Sequence, residues 1–477
     1  MPGKTVRSQS FRVGKVKAYL RREIWYLCYF ENGQRRRPRV GPDREAAKQL
    51  AAQTNAQLEV GAPALLSFEP LAIDALREQW LQHHDQVLRS SAQTINRYRT
   101  ATAHLLRFIR DVRSVRVASQ FRVAHAEEFV RYLRMVEVAP NGHANAAKRP
   151  LLDKGVKYIL ETCRAMFNYA AKRRHLSPYA PNPFSELELD RIPLERTGPL
   201  ILFTAEQEKA FLASCDDWQF PVFVTLMLTG LRPGELTHLM LPDDLDWDAG
   251  VLRVRNRPEL GWQVKTRNER EVPLIATLAD VLRAATGTRH TGPVFRRRRF
   301  ASKVEPLLAE HDAGALKEEL RRRISMQEAT LGRVLSRAER LRASATVWRD
   351  AGGIKTDRLR REFMRITRKI GRPPLIEPKM LRHLFATALQ DANVDPLIRN
   401  ELLGHVPEGH RSAGFGLAMT AVYTHTRAET RRRQLEDALR GHPAVAVAMG
   451  WLQARRPQAK SEATAGPGAV LNPARLA

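Results

Sequence analysis

The chain has 477 residues, enough for roughly two to four domains with sizeable cores. Lysine and arginine number 79 against 51 aspartates and glutamates, and the formal charge of +28 suits a polyanionic partner. Apolar runs such as "FPVFVTLML" fall short of a membrane span and no signal peptide opens the chain. Nucleic acid is therefore favoured over an anionic membrane. Cys28, Cys163 and Cys215 are too scattered for a disulfide framework or a zinc site, so the expected setting is a reducing cytoplasm. "AGGIKT" (351–356) has the residues of a phosphate-cradling loop but not their order, and ATP is not implied.

In chain order, residues 1–65 begin with alternation, Val16, Ala18 and Leu20 interleaving with Lys15, Lys17, Tyr19 and Arg21. The run "IWYLCYF", the turn pair Asn32-Gly33 and "QRRRPRV" follow. A hairpin or three short strands is expected, closed by a helix over "DREAAKQLAAQTNAQLEV". Residues 66–188 read as helical. "AQTINRYRTATAHLLRFIRDV" sets Ile95, Tyr98, Leu105 and Ile109 on one face, and "GVKYILETCRAMFNYAAKRRHL" does the same with Val156, Ile159, Cys163, Met166 and Ala170. Residues 189–200 read as a linker. Thr204 and Gln207 then form a capping box that opens a larger mixed domain, 201–440. Within it, 301–350 is highly charged and reads as an insertion or a projecting helical pair. Residues 441–477 read as a partly disordered tail. The fold class is multidomain, mainly α with small β elements.

Four stretches carry chemistry. In "LTGLRPGELTHLML" (228–241), Gly230 closes one helix and Pro233 opens another, which makes Arg232 the N-cap and Glu235 the third helical residue. A guanidinium there adds to a helix start already favourable to anions. "GWQVKTRNEREVPL" (261–274) reads as a tight hairpin with Lys265 near its tip, opposite Trp262 and Val264. "KMLRHLFATAL" (379–389) has the spacing of a buried helix face, yet carries Lys379, Arg382 and His383 at its edge. "LLGHV" and "TAVYTHTRAE" then supply His405 and Tyr423. Each alone is an ordinary structural residue; the ordered set is not. The run "FRRRRF" (295–300) reads equally as a DNA backbone contact or a solvated face.

Taken in order, "TGLRPGEL", "VKTRNEREVPL", "LRHLFAT", "LLGH" and "VYTHT" resemble the catalytic domain of tyrosine recombinases, the phage-integrase family. The resemblance covers 200–430 at motif level. By layout alone, 66–188 is similar to the family's helical core-binding domain and 1–65 to its arm-binding domain. It implies a site-specific DNA recombinase that cuts and rejoins DNA through a 3′-phosphotyrosyl intermediate, without metal or cofactor. Tyr423 would be the nucleophile, Arg232 and Arg382 the phosphate clamp, Lys265 the acid that protonates the departing 5′-oxygen, and His405 a phosphate donor. His383 would buttress the pocket. The family usually has histidine at the position of Lys379, so a phosphate-binding or weak base role falls to that lysine. The gap from His405 to Tyr423 is also longer than usual. The implied partners are double-stranded DNA, a homo-tetramer exchanging "HPAVAVAMGWL" between neighbours, and accessory recombination proteins, on the nucleoid. Two other readings share these residues: a type IB topoisomerase, and a catalytically impaired DNA-binding accessory protein of a mobile element.

Overall fold

The computed structural model describes residues 9–66, 68–139, 145–178, 180–195, 201–300, 304–372, 377–405 and 426–455. Helix makes up 54% of the chain beside short antiparallel sheets, which is the mainly α class read from the sequence. The chain divides into two compact units, Met1–Gly198 and Pro199–Ala477.

The first unit opens with a five-stranded antiparallel sheet: β1 (Ser10–Val13), β2 (Val16–Arg21), β3 (Ile24–Glu31), β4 (Gln34–Arg36) and β5 (Arg39–Gly41). The β3–β4 turn is the Asn32-Gly33 pair, both at positive φ, as a two-residue hairpin demands. Helix α1 (Arg44–Glu59), capped by Asp43, covers one face, and Ala47 and Ala51 pack on Val16, Ala18, Trp25 and Leu27. Helices α2 (Ile73–Gln82), α3 (Ala92–Asp111), α4 (Val123–Met135) and α5 (Asp153–Lys172) form a second core, with a minimal pairing of β6 (Glu137–Val138) and β7 (Arg149–Pro150). Ile95 and Leu105 of α3 and the five named apolar positions of α5 are buried in it, while Tyr98 and Ile109 lie at its margin. The stretch read as a linker is not free of this unit. Leu189 is buried in its core, and the Glu195 carboxylate accepts the Asp153 and Lys154 amides at the start of α5.

In the second unit, α6 (Ala205–Ala213) starts at the Thr204–Gln207 capping box. It leads to α7 (Gln219–Thr229), every residue of which is buried, and to the single turn α8 (Pro233–Leu236). Gly230 closes α7 at φ +61°, and a Cβ there would meet Phe385 at 2.3 Å, so both conformation and packing require glycine. Two short pairings follow: β8 (Met240–Leu241) with the later β12 (Gly292–Pro293), and β9 (Leu245–Asp246) at the edge of the sheet β9–β10 (Val251–Val254)–β11 (Arg270–Pro273). Helix α9 (Ala276–Thr286) packs on α7. The hairpin is therefore β10–β11, and 261–274 is not a tight hairpin in itself. Most of it belongs to a long connection, because Trp348 Nε1 and Ser344 Oγ both donate to the Leu260 carbonyl and hold the chain out.

Those two side chains come from the charged excursion. It folds as a helical pair, α10 (Ala313–Leu331) and α11 (Arg337–Asp350), around Leu316, Leu320, Val347 and Trp348. Helices α12 (Thr356–Lys369), α13 (Lys379–Asp391) and α14 (Pro396–Leu403) complete the core around α7. After the undescribed 406–425 come α15 (Ala428–Leu439) and α16 (Pro443–Gln453). The segment expected to pass to a neighbour is α16, and it packs on its own chain. Ala444, Val445 and Ala448 join the main core, and Trp451 stacks on Phe220 with centroids 4.9 Å apart. Residues 456–477 lie outside the described residues. No described helix is long and apolar enough to cross a membrane.

Candidate active site

The site begins where α7 stops. Left-handed Gly230 turns the chain, Pro233 presets the first helical φ of α8, and Arg232 is held extended as its N-cap. Glu235, three residues on, reaches back. Its Oε2 accepts the Arg232 backbone N–H at 2.9 Å, and its Oε1 accepts Arg232 Nη1 at 2.8 Å. Arg270, the first residue of β11, closes on the same carboxylate from the other side, with Nη2 at 2.6 Å from Oε2 and Nη1 at 3.3 Å from Oε1. Glu235 is only 3% exposed. Burial pushes its carboxyl up, but Arg270 and then Arg232 outweigh that and hold it below the ordinary carboxylate range. One buried anion thus fixes two guanidiniums and leaves the cluster positive.

Arg382 is the cation without such a counter-charge. It is 9% exposed on α13, between Leu381 and Leu384. Nη1 donates to the Gly230 carbonyl at 2.7 Å, and Nη2 donates to the Leu403 carbonyl and to His405 Nε2, the latter at 3.1 Å. Those carbonyls end α7 and α14, where helices leave acceptors unsatisfied and concentrate negative dipole. The buried charge is thus tied down by two helix C-termini, and among the described residues it makes no ion pair. Burial, then the charges of Arg232 and Arg270, bring the guanidinium down to about 10, with Glu235 opposing.

His405 is placed by Gly404, which ends α14 at φ +63° and lets the His405 amide return to the Asn400 carbonyl at 2.9 Å. A Cβ on Gly404 would meet Arg270 Nη1 at 2.9 Å, so this glycine also makes room for the guanidinium that braces Glu235. Because Arg382 donates to Nε2, the ring is neutral with its proton on Nδ1. Burial, then Arg382, Arg232 and Arg270, lower its pKa in the same sense.

The other sequence-read residues are placed less centrally. Lys265 lies exposed in a turn pinned by buried Val264, and its neighbour Thr266 donates to the Gly404 carbonyl at 3.4 Å, beside His405. Lys379, the first residue of α13, is exposed and pairs with Glu377 at 2.8 Å instead of joining the arginines. His383, read as a buttress, sits on the exposed side of α13. Tyr423 lies outside the described residues. Arg270 was missed: its only sequence signal is that it opens an alternating strand, and its partner Glu235 is 35 residues away.

Residues 202–429 match the model of the phage integrase family. The family is the one whose motifs were read from the sequence, that of the tyrosine recombinases. No curated protein matches the chain. Among solved structures it is similar to the Tn1549 transposon integrase (residues 82–397) in complex with circular intermediate DNA, at 17% identity, covering 77% of this chain and 99% of that one, with a TM-score of 0.46. It is also similar to a lambda integrase dimer bound to a COC′ core site, at 16% identity, 85% and 93% coverage and a TM-score of 0.46. A lambda integrase tetramer bound to a Holliday junction gives 16% identity, 83% and 99% coverage and a TM-score of 0.43.

Proposed function

We propose that the protein is a site-specific DNA recombinase that cuts and rejoins duplex DNA through a 3′-phosphotyrosyl intermediate, moving or resolving a mobile element. The observation that carries this reading is the buried Arg382, which has no acidic partner among the described residues and lies within hydrogen-bond distance of His405, beside the Arg232–Glu235–Arg270 cluster. Such an arrangement is poised for an anion whose charge grows during reaction.

In this reading the Tyr423 phenolic oxygen attacks the scissile phosphorus, the P–O5′ bond breaks, and a 5′-hydroxyl leaves. The surrounding cations favour the phenolate, whose proton passes to solvent. Arg232 and Arg382 neutralise the non-bridging oxygens with directed N–H donors, which a point-charge ammonium would do less well. His405 hydrogen-bonds one of those oxygens. Lys265, from its turn beside Gly404, protonates the departing 5′-oxygen. Lys379 contributes positive charge at the edge, exchanging Glu377 for phosphate. Rejoining is the reverse attack by a 5′-hydroxyl of the partner strand, so no external energy source is needed. A cationic donor set of this kind repels metal ions, and strand cleavage is expected to survive chelation.

The helical α2–α5 region acts as core-binding domain and the small sheet with α1 as arm-binding domain. The protein works on the nucleoid as a tetramer joining two sites. The test is a nicked suicide substrate: the wild type forms a covalent adduct with EDTA present, while Tyr423→Phe binds the same DNA and forms none. Adducts in that variant, or a strict magnesium requirement, would overturn the assignment. Exchange of strands between two sites, rather than resealing of one, separates a recombinase from a topoisomerase.

A further inference from the structure

The excursion that carries α10 and α11 leaves and re-enters the domain at one place. Arg296 and Gly353 form an isolated antiparallel bridge, Arg297 N donates to the Gly352 carbonyl at 2.9 Å, and Arg297 Nε donates to the Gly353 carbonyl at 2.9 Å. Between this stem and the start of α12 lies a cleft of about 310 Å³, lined by Arg297, Arg298, Arg299, Lys355, Arg358 and Arg361. Among the described residues the lining has six cations and no carboxylate.

The acids stand behind it. Glu362, fully buried, accepts Gln219 Nε2 at 2.8 Å and pairs with Arg358 and Arg365 at 3.1 Å and Arg298 at 3.4 Å. Asp216 takes the other arm of Arg298 at 2.6 Å, and that guanidinium also lies over the Trp218 ring. Arg298 and Arg358 are thereby oriented from below, while the lining as a whole keeps an excess of positive charge. Crowding of this kind costs stability unless an anion relieves it. Burial, then the neighbouring charges of Arg299 and Arg349, lower the Arg297 pKa, as expected where cations converge.

The cleft does not end at the stem. A second cavity of about 370 Å³ shares Arg297 and Lys355 with it and reaches Thr237 and His238, the residues that follow α8 and its Arg232. The trough thus runs from the arginine-lined stem back toward the turn that holds the candidate active site.

We propose that the stem of this excursion is a second phosphate seat, which grips the DNA backbone away from the reacting phosphate. It deepens the recombinase reading and rests on it for the identity of the polyanion. "FRRRRF" is then neither a uniform DNA contact nor a solvated face. Arg296 is a buried strut tied to Glu305 at 2.5 Å, and the next three arginines line the seat.

The test is Lys355→Gln/Arg361→Gln in the full chain. These positions are exposed and neither braces Glu362. Duplex affinity is measured by fluorescence anisotropy as salt rises fourfold, against Arg321→Gln/Arg322→Gln on the exposed side of α10, which changes net charge equally. Each lost phosphate contact lowers the salt slope by about 0.9. The seat variant is expected to lose about 2 units of slope, making it about 10-fold less salt-sensitive over that range, with the α10 variant near wild type and Lys355→Arg/Arg361→Lys restoring the slope. Equal slopes in the seat and α10 variants overturn the proposal. So does stabilisation by inorganic pyrophosphate that the seat variant loses while its DNA slope is unchanged, which would mark a seat for a small free polyanion. Adduct formation by the wild type on the suicide substrate is scored alongside. Adducts with an unchanged slope refute the seat alone, and a changed slope without adducts refutes the recombinase chemistry alone.

Discussion

Glu235→Gln tests whether one buried carboxylate holds the arginines of the candidate active site in place. The wild-type carboxylate accepts four hydrogen bonds, at 2.9 and 2.8 Å from Arg232 and at 2.6 and 3.3 Å from Arg270. An amide can accept on one atom only, and turns an N–H group toward a guanidinium on the other. Each carboxylate oxygen accepts from both arginines, so Arg270, 5% exposed along its side chain, keeps one bond to residue 235 and its bond to the Leu402 carbonyl, while its other N–H and one from Arg232 face the amide nitrogen. Removing one partner of a buried pair costs about 3–5 kcal/mol, and the retained acceptor places this variant near 3. The urea midpoint at pH 7 should fall accordingly, with the melting temperature lower by roughly 6–12 °C at about 2–4 °C per kcal/mol. The pH dependence has a definite sign. A carboxyl whose folded pKa is depressed contributes stability above its unfolded value of about 4.3, and that stability is lost as pH falls through the lower folded value. The variant should lack that acid-side loss. DNA binding should change little, whereas adduct formation should drop by about 100-fold because Arg232 is no longer aimed. A variant with the wild-type midpoint at pH 7, or with undiminished adduct formation, would refute the bracing role.

Two further perturbations probe other parts of the account. Glu208 and His442 face each other at 3.6 Å where α6 meets the start of α16, but burial pushes Glu208 up to about 7 and His442 down to about 4, which disfavours an ion pair. A raised folded pKa means stability present below about 4.3 and lost as pH rises through 7, so Glu208→Gln should be more stable than wild type by roughly 1–3 kcal/mol at pH 8 and lose that advantage near pH 4; a destabilised variant at pH 8 would show that the carboxylate is paired. Deleting residues 1–65 removes the sheet and α1, which have their own core, and should weaken binding to flanking sites more than to the crossover core, as gel-shift titrations would show. Equal loss at both would contradict an arm-binding role.

The parts of the site that are local in sequence were legible. Gly230, Arg232, Pro233 and Glu235 lie within one turn–helix junction, where φ requirements and capping rules fix the geometry. The oddity of an arginine on the α13 core face was visible too, but not its reason. The carbonyls it satisfies belong to Gly230 and Leu403, 152 and 21 residues away. Arg270 escaped notice because strand alternation says which face a side chain takes and nothing of the carboxylate it will meet. Lys265 was assigned to a tight hairpin because nothing nearby in sequence shows that Trp348 and Ser344 tether Leu260. The docking of α16 was likewise hidden. An apolar segment near the chain end reads the same whether it covers its own α7 through Trp451 and Phe220 or a neighbour's.

The most direct measurement is to trap the protein on a cognate nicked duplex, digest the adduct and identify by mass spectrometry the modified residue and the attached DNA end. The account predicts a single peptide carrying a phosphodiester on Tyr423, joined to the 3′ end of the cut strand with a free 5′-hydroxyl opposite. A link at another residue, a 5′-phosphate attachment, or cleavage without any covalent species would contradict it.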